Sequence, residues 1–132
     1  ENEINVPNPS TYKVTKYGRV PAISKKALEN NNYKCVVDPN HQSFISQSTN
    51  KNYVEAHHVV PISATEAFQV DLDVIENIVS LCPNCHKKIH LGDNQSKIDI
   101  INSICDKRFI YQLNHKGINV SKEDIIEIYT VI

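Results

Sequence analysis

Two cysteines separated by two residues, Cys82-Pro83-Asn84-Cys85, constrain this chain more than any other feature. So tight a turn directs both sulfurs at one tetrahedral centre, the arrangement of a zinc knuckle. The same spacing serves redox proteins, but the strand and helix that flank a thioredoxin-type motif are not legible around it, so the reading is metal ligation. The chain has 132 residues and four cysteines, at positions 35, 82, 85 and 105. That is too few for a disulfide scaffold and suits a metal site in a reducing compartment, with the cytoplasm as the expected location. Cys35 is the expected third ligand. A second Cys-x-x-Cys would put a cysteine at position 38, where Asp38 stands, so the fourth ligand is left between His41, Asp38 and a water. Imidazole suits zinc better than carboxylate does, which favours His41. Cys105 lies on an apolar stripe and reads as a buried structural thiol.

The length fits one domain with a modest core. Apolar residues make up 40% and charged residues 22%, an ordinary globular composition. No apolar run approaches the roughly 20 residues of a membrane span, and no signal-peptide core opens the chain. There is no methionine, even at position 1, so Glu1 is expected to be a cut point, with a further domain upstream. The net charge of −1 hides a gradient: residues 1–34 carry +3 and the remainder −4. Lys13, Lys16, Arg19, Lys25 and Lys26 follow one another without an acid between them, with Tyr12 and Tyr17 nearby. Such a run suits a phosphate backbone, although a solvated basic arm has the same composition.

Three sections follow from the pattern. Residues 1–32 form a basic arm, irregular over 1–22 around Pro7, Pro9, Gly18 and Pro21, and then a short helix over Lys25–Asn31 capped by Ser24 and ended by Asn30-Asn31-Asn32. Residues 33–92 concentrate the cysteines and histidines. Residues 93–132 read as a helical pair: one helix with Ile98, Ile101, Ile104, Cys105, Arg108 and Leu113 at three- and four-residue steps, a turn at Lys116-Gly117, and a second helix opened by Ser121 with Asp124 in the capping-box position. Ile125, Ile126, Ile128, Tyr129 and Ile132 give the second helix its apolar face. The pair is expected to pack on the core without contributing chemistry.

The second constellation comprises Glu55-Ala56-His57-His58, Asn77, and His86-Lys87-Lys88-Ile89-His90. Tyr53–Val60 alternates weakly and is β-branched around the histidines, as a strand requires. Pro83–His90 reads as a helix, which puts His86 and His90 four residues apart on one face. Adjacent strand residues point to opposite sides, so of His57 and His58 one can join a metal while the other is held by a neighbouring acceptor. Glu55 suits a carboxylate partner to that cluster or a solvated strand surface. Lys87 and Lys88, across the helix, suit DNA phosphates or solvent.

The stretches "YVEAHHVVP" and "ENIVSLCPNCHKKIH", together with the upstream Cys35, resemble the HNH nuclease family over roughly residues 33–92. More weakly, the flanks "ISKKALENNNYKC" and "LNHKGINVSKEDIIEIY" resemble the surroundings of such domains in bacterial restriction and phage-defence proteins. The resemblance implies an α+β chain with a ββα-metal core, a structural zinc knuckle and one catalytic divalent cation (Mg²⁺, Mn²⁺, Ni²⁺ or Zn²⁺). By position, it implies His58 as general base, His57, His86 and His90 as ligands of that cation, and Asn77 as the residue that ties the loop and orients the base. It further implies DNA as the partner, cut by hydrolysis of phosphodiester bonds, with specificity borrowed from a missing N-terminal domain or a partner subunit. Two copies, as in a homodimer, would serve a double-strand cut. The competing class is a nonenzymatic zinc module that binds nucleic acid or protein. A secreted nuclease toxin is a third possibility, less suited to structural thiolates.

Overall fold

The computed structural model describes residues 20–130. The basic residues Lys13, Lys16 and Arg19, and the prolines and glycine of the arm before Val20, lie outside the described residues, as does Ile132. The elements in chain order are α1 (Pro21–Asn30), β1 (Glu55–His58), α2 (Thr65–Phe68), β2 (Ile78–Leu81), α3 (Pro83–Leu91), α4 (Asn94–Ile104), α5 (Lys107–His115) and α6 (Lys122–Thr130). Short 3₁₀ turns at Ile62–Ala64 and Ile75–Asn77 precede α2 and β2. Among the described residues, six helices accompany one two-stranded sheet, a mixed α+β architecture.

α1 starts four residues earlier than expected. Pro21 occupies its first turn and no side chain caps it, so Ser24 is an interior residue. Proline needs no N–H partner at that position and its fixed φ already suits the helix, which makes a serine cap dispensable. The asparagine run does end α1, with Asn32 (φ 54°) and Tyr33 (φ 55°) both left-handed. This reversal lays Cys35 and Val36 beside the sheet, where Val36 N–H donates to Ser80 O at 2.9 Å.

β1 and β2 pair antiparallel, with Glu55 opposite Leu81 and His58 opposite Ile78. The strand is shorter than the Tyr53–Val60 alternation suggests. Beyond His58, the N–H groups of Val59 and Val60 turn to the backbone and side-chain oxygens of Asn77 instead. The C-terminal section is three helices rather than two. Asp106 breaks the long apolar stripe by accepting the N–H of Phe109 at 2.8 Å, and thereby caps a separate α5. Ser121 and Asp124 do form the reciprocal capping box, at 3.0 and 3.1 Å, and Gly117 supplies the left-handed turn before it (φ 83°).

The core joins the sheet to these helices through Val59, Val60, Leu72, Leu81, Ile89, Ile101, Leu113, Ile118 and Ile125, all fully buried. Burying a side chain of this kind is worth about 1.5–3 kcal/mol, and it packs α4 on α3 and α6 on α4. Cys105, at the end of α4, is buried in that core. Burial pushes its thiol up to about 12, the behaviour of an inert core cysteine.

Candidate metal centre and active site

β2 runs directly into Cys82, the N-cap of α3, whose sulfur accepts the N–H of Cys85 at 3.3 Å. The chain reversal after α1 brings Cys35 to the same corner, and the loop behind it brings His41. The ligand atoms of Cys35, His41, Cys82 and Cys85 all lie within 4.8 Å of one another. His41 Nδ1 is 3.5 Å from Cys85 Sγ and 3.8 Å from Cys82 Sγ. Asp38 is not in the cluster: it accepts the N–H of Asn40 and lies 3.7 Å from His41 Nε2, on the far side of the ring. Three thiols and an imidazole at this spacing are the donor set of a closed tetrahedral metal site. Burial pushes the Cys35 thiol up, but backbone hydrogen bonds from Cys82 and Asp38 and the His41 side chain outweigh it and lower the group to about 7. Cys85 is raised to about 12 by burial and by Cys82 and Cys35, a crowding of sulfurs that a bound cation would relieve.

The second cluster begins at the next residue of α3. His57, on β1, meets His86 and His90, one turn apart on α3, and the three ring centroids are separated by 5.0, 5.0 and 5.1 Å. One ring nitrogen from each lies within 4.8 Å of the others, so these residues too can hold a metal ion. Two of the three rings are held from behind. Glu55 Oε1 is 2.8 Å from His86 Nδ1, and the same carboxylate accepts the Tyr53 hydroxyl at 2.9 Å. Burial raises Glu55, but its hydrogen bonds to His86 and Tyr53 outweigh that and keep it below the usual glutamate range. Tyr129 Oη lies 2.9 Å from His57 Nε2. Burial, with His86 and His90 nearby, lowers His57 to about 3, and burial also lowers His90. Neutral imidazoles are the form that binds metal.

His58 points to the other side of the strand, as the alternation of β1 requires. Its Nε2 lies 2.8 Å from Asp73 Oδ1, both side chains being buried. The second oxygen, Asp73 Oδ2, accepts the N–H of Val20 at 2.6 Å. Asn77, fully buried, accepts Val60 N–H and donates to the carbonyls of Val60 and Leu72, each at 2.9 Å. It thereby clamps the loop that carries Asp73 to the end of β1. His57, His58, His86 and His90 line one cavity of about 340 Å³, with Pro61, Ile62 and Ser63 at its rim. Lys25 and Lys26 are exposed on α1, and Lys87 and Lys88 on α3.

The structure thus brings the sequence-selected cysteines and histidines into two clusters and adds two residues that the sequence does not mark. Asp73 sits in Val70-Asp71-Leu72-Asp73, where nothing in the residue pattern separates it from Asp71. Tyr129 belongs to α6, so the C-terminal helices do more than pack. Its signal was available in principle, because a buried tyrosine hydroxyl needs a partner.

The antiparallel hairpin, the helix that follows it and the two histidine- and cysteine-bearing clusters define a ββα-metal fold. Residues 41–92 match the family model described as HNH endonuclease. The chain is also similar to the Type IV methyl-directed restriction enzyme EcoKMcrA of Escherichia coli (strain K12), with 41% identity over 46 residues. The aligned segment covers 35% of this chain and 15% of that enzyme. The matched stretch is less than half of the chain, and over it the chain is similar to HNH endonucleases.

Proposed function

We propose that this chain is a metal-dependent DNA endonuclease and serves as the cleavage module of a restriction or phage-defence protein. The observation that carries this reading is the placement on one cavity of an open three-imidazole cluster and of His58, whose ring is held from behind by buried Asp73. Since the Asp73 carboxylate can only accept, the proton of His58 sits on Nε2, leaving a free lone pair on Nδ1. His58 is then the general base: it takes a proton from water, and the hydroxide attacks the phosphorus in line with the leaving oxygen. Asp73 holds the ring in that tautomer and stabilises the imidazolium that forms. Asn77 fixes the distance between the Asp73 loop and β1.

His57, His86 and His90 hold the catalytic cation. Three neutral imidazoles leave coordination positions open and suit Mn²⁺, Ni²⁺ and Zn²⁺ as well as Mg²⁺. When bound, the cation supplies Lewis acidity at a nonbridging phosphate oxygen and stabilises the 3′ leaving oxygen. Cys35, His41, Cys82 and Cys85 hold a structural zinc. Lys25, Lys26, Lys87 and Lys88, with Lys13, Lys16 and Arg19 of the arm, supply contacts to DNA phosphates. Specificity comes from another domain or subunit, and a double-strand cut from two copies.

Incubation of zinc-loaded protein with supercoiled plasmid, methylated and unmethylated, in Mg²⁺, Mn²⁺ or Ni²⁺ tests the reading. Nicked or linear product is expected, and His58→Ala should slow its formation by about 10²–10⁴-fold with zinc content unchanged. Binding of DNA without cleavage under every condition would identify a nonenzymatic zinc module instead.

A further inference from the structure

Tyr129 stands on α6, outside residues 41–92, and its side chain is buried against the imidazole cluster. Its hydroxyl oxygen lies 2.6 Å from the carbonyl oxygen of Val59 and 2.9 Å from His57 Nε2. A phenol has one proton to give, and a carbonyl oxygen can only accept. The proton therefore goes to Val59, and the hydroxyl meets His57 as an acceptor. That contact requires Nε2 of His57 to carry the ring proton, and a neutral imidazole carries only one. Nδ1 is left bare.

The hydroxyl is not free to drift from this position. The carbonyl of Tyr129 accepts from Lys97 Nζ at 3.0 Å, and Lys97 is itself buried in the first turns of α4. Thr130 Oγ1 donates back to Ile126 O at 2.7 Å and closes the last turn of α6. On the opposite wall, Glu55 accepts from His86 Nδ1 and leaves Nε2 of that ring for the cluster. The two rings are thus set by two different acceptors, a carboxylate from β1 and a phenol from α6.

We propose that Tyr129 is a positioning residue: its hydroxyl locks His57 in the Nε2–H tautomer and so presents Nδ1 to the cation site shared with His86 and His90. This rests on the reading that those three histidines hold the catalytic cation. It makes α6 part of the metal centre. Outer partners of this kind set ligand orientation and basicity, and their loss costs about 10–100-fold in metal affinity.

Two measurements on the full chain test the proposal. Long-range ¹⁵N–¹H correlation spectra of the metal-free histidine cluster read the tautomer of each ring directly, and the wild type needs no variant for this. His57 is expected in the Nε2–H form, and Tyr129→Phe, which keeps the ring and removes only the hydroxyl, should yield a mixture. Calorimetric titration of Ni²⁺ into protein whose thiolate site already holds zinc should then show affinity lower by about 10–100-fold in Tyr129→Phe. A wild-type His57 protonated on Nδ1 overturns the proposal, as does a Tyr129→Phe protein with wild-type tautomer and Ni²⁺ affinity. Failure of the wild type to take up Ni²⁺ in any way that His90→Ala changes overturns the cation reading, and the role of Tyr129 with it.

Discussion

The thiolate corner and the imidazole pocket share the nine-residue helix α3, yet they are built to opposite ends. Cys35, Cys82 and Cys85 are almost wholly buried, at 1%, 6% and 1% exposure, and face one another across a corner. The imidazole cluster grades outward from buried His57 through half-buried His86 to exposed His90, and opens on a cavity. Cys85 and His86 are neighbours in sequence, and helical geometry turns them about 100° apart, so one residue step separates the two sites. A closed site with soft donors stabilises a fold; an open one with imidazole donors leaves room for water and phosphate. The same helix therefore carries donors of both clusters.

Removing one ligand from each site gives the sharpest contrast. Cys82→Ser should release the structural metal and unfold residues 33–92, since binding free energy on the order of 10 kcal/mol is folding free energy in a domain this small. His90→Ala should leave the melting curve of zinc-loaded protein, with the histidine cluster empty, within a few degrees of wild type. Metal analysis and thermal unfolding of both variants check this, and a Cys82→Ser chain with an unchanged melting curve would remove the distinction between the sites.

A smaller effect is expected at the clamp between them. Asn77→Ala strands Val60 N–H and the carbonyls of Val60 and Leu72 inside the core. Each unpaired group costs roughly 1–3 kcal/mol, so the melting temperature should drop by about 10 °C or more with both metals retained. Retained stability would show that water or a backbone shift replaces the amide.

The mildest test is pH. His57 titrates at about 3 in the folded chain against 6.5 ordinarily, so its folded value is lowered. Between these values the unfolded chain binds a proton that the folded chain refuses, and stability must fall as pH falls through that window. Protein with zinc in the thiolate site and an empty histidine cluster should therefore lose melting temperature steadily below about pH 6.5, and His57→Asn should flatten the slope. An unchanged slope in the variant would place the proton uptake elsewhere.

The legible part of the molecule is the part governed by short-range spacing. Cys82-x-x-Cys85, His86 and His90 one turn apart, the Ser121–Asp124 box and the stop at Asn30-Asn31-Asn32 each follow from local geometry. Their elements appear where that geometry puts them. The illegible part depends on contacts across long stretches of chain. Asp73 is chosen over Asp71 because the 3₁₀ turn at Ile75–Asn77 and the Asn77 clamp aim it at His58. Tyr129 reaches His57 from 72 positions away, and only the packing of α6 on α4 brings it there. The split of the last helices was visible in Asp106, but an unbroken apolar stripe masked the cap.

The central claim is that His57 serves the metal and His58 serves the water. Calorimetric titration of Ni²⁺ into zinc-loaded His57→Ala and His58→Ala, with plasmid cleavage measured on the same samples, tests it most directly. His58→Ala should bind Ni²⁺ as the wild type does and lose about 10²–10⁴-fold in cleavage rate. His57→Ala should bind Ni²⁺ weakly and recover part of its activity at high metal concentration. Loss of metal binding in His58→Ala together with its retention in His57→Ala would reverse the assignment and contradict the account.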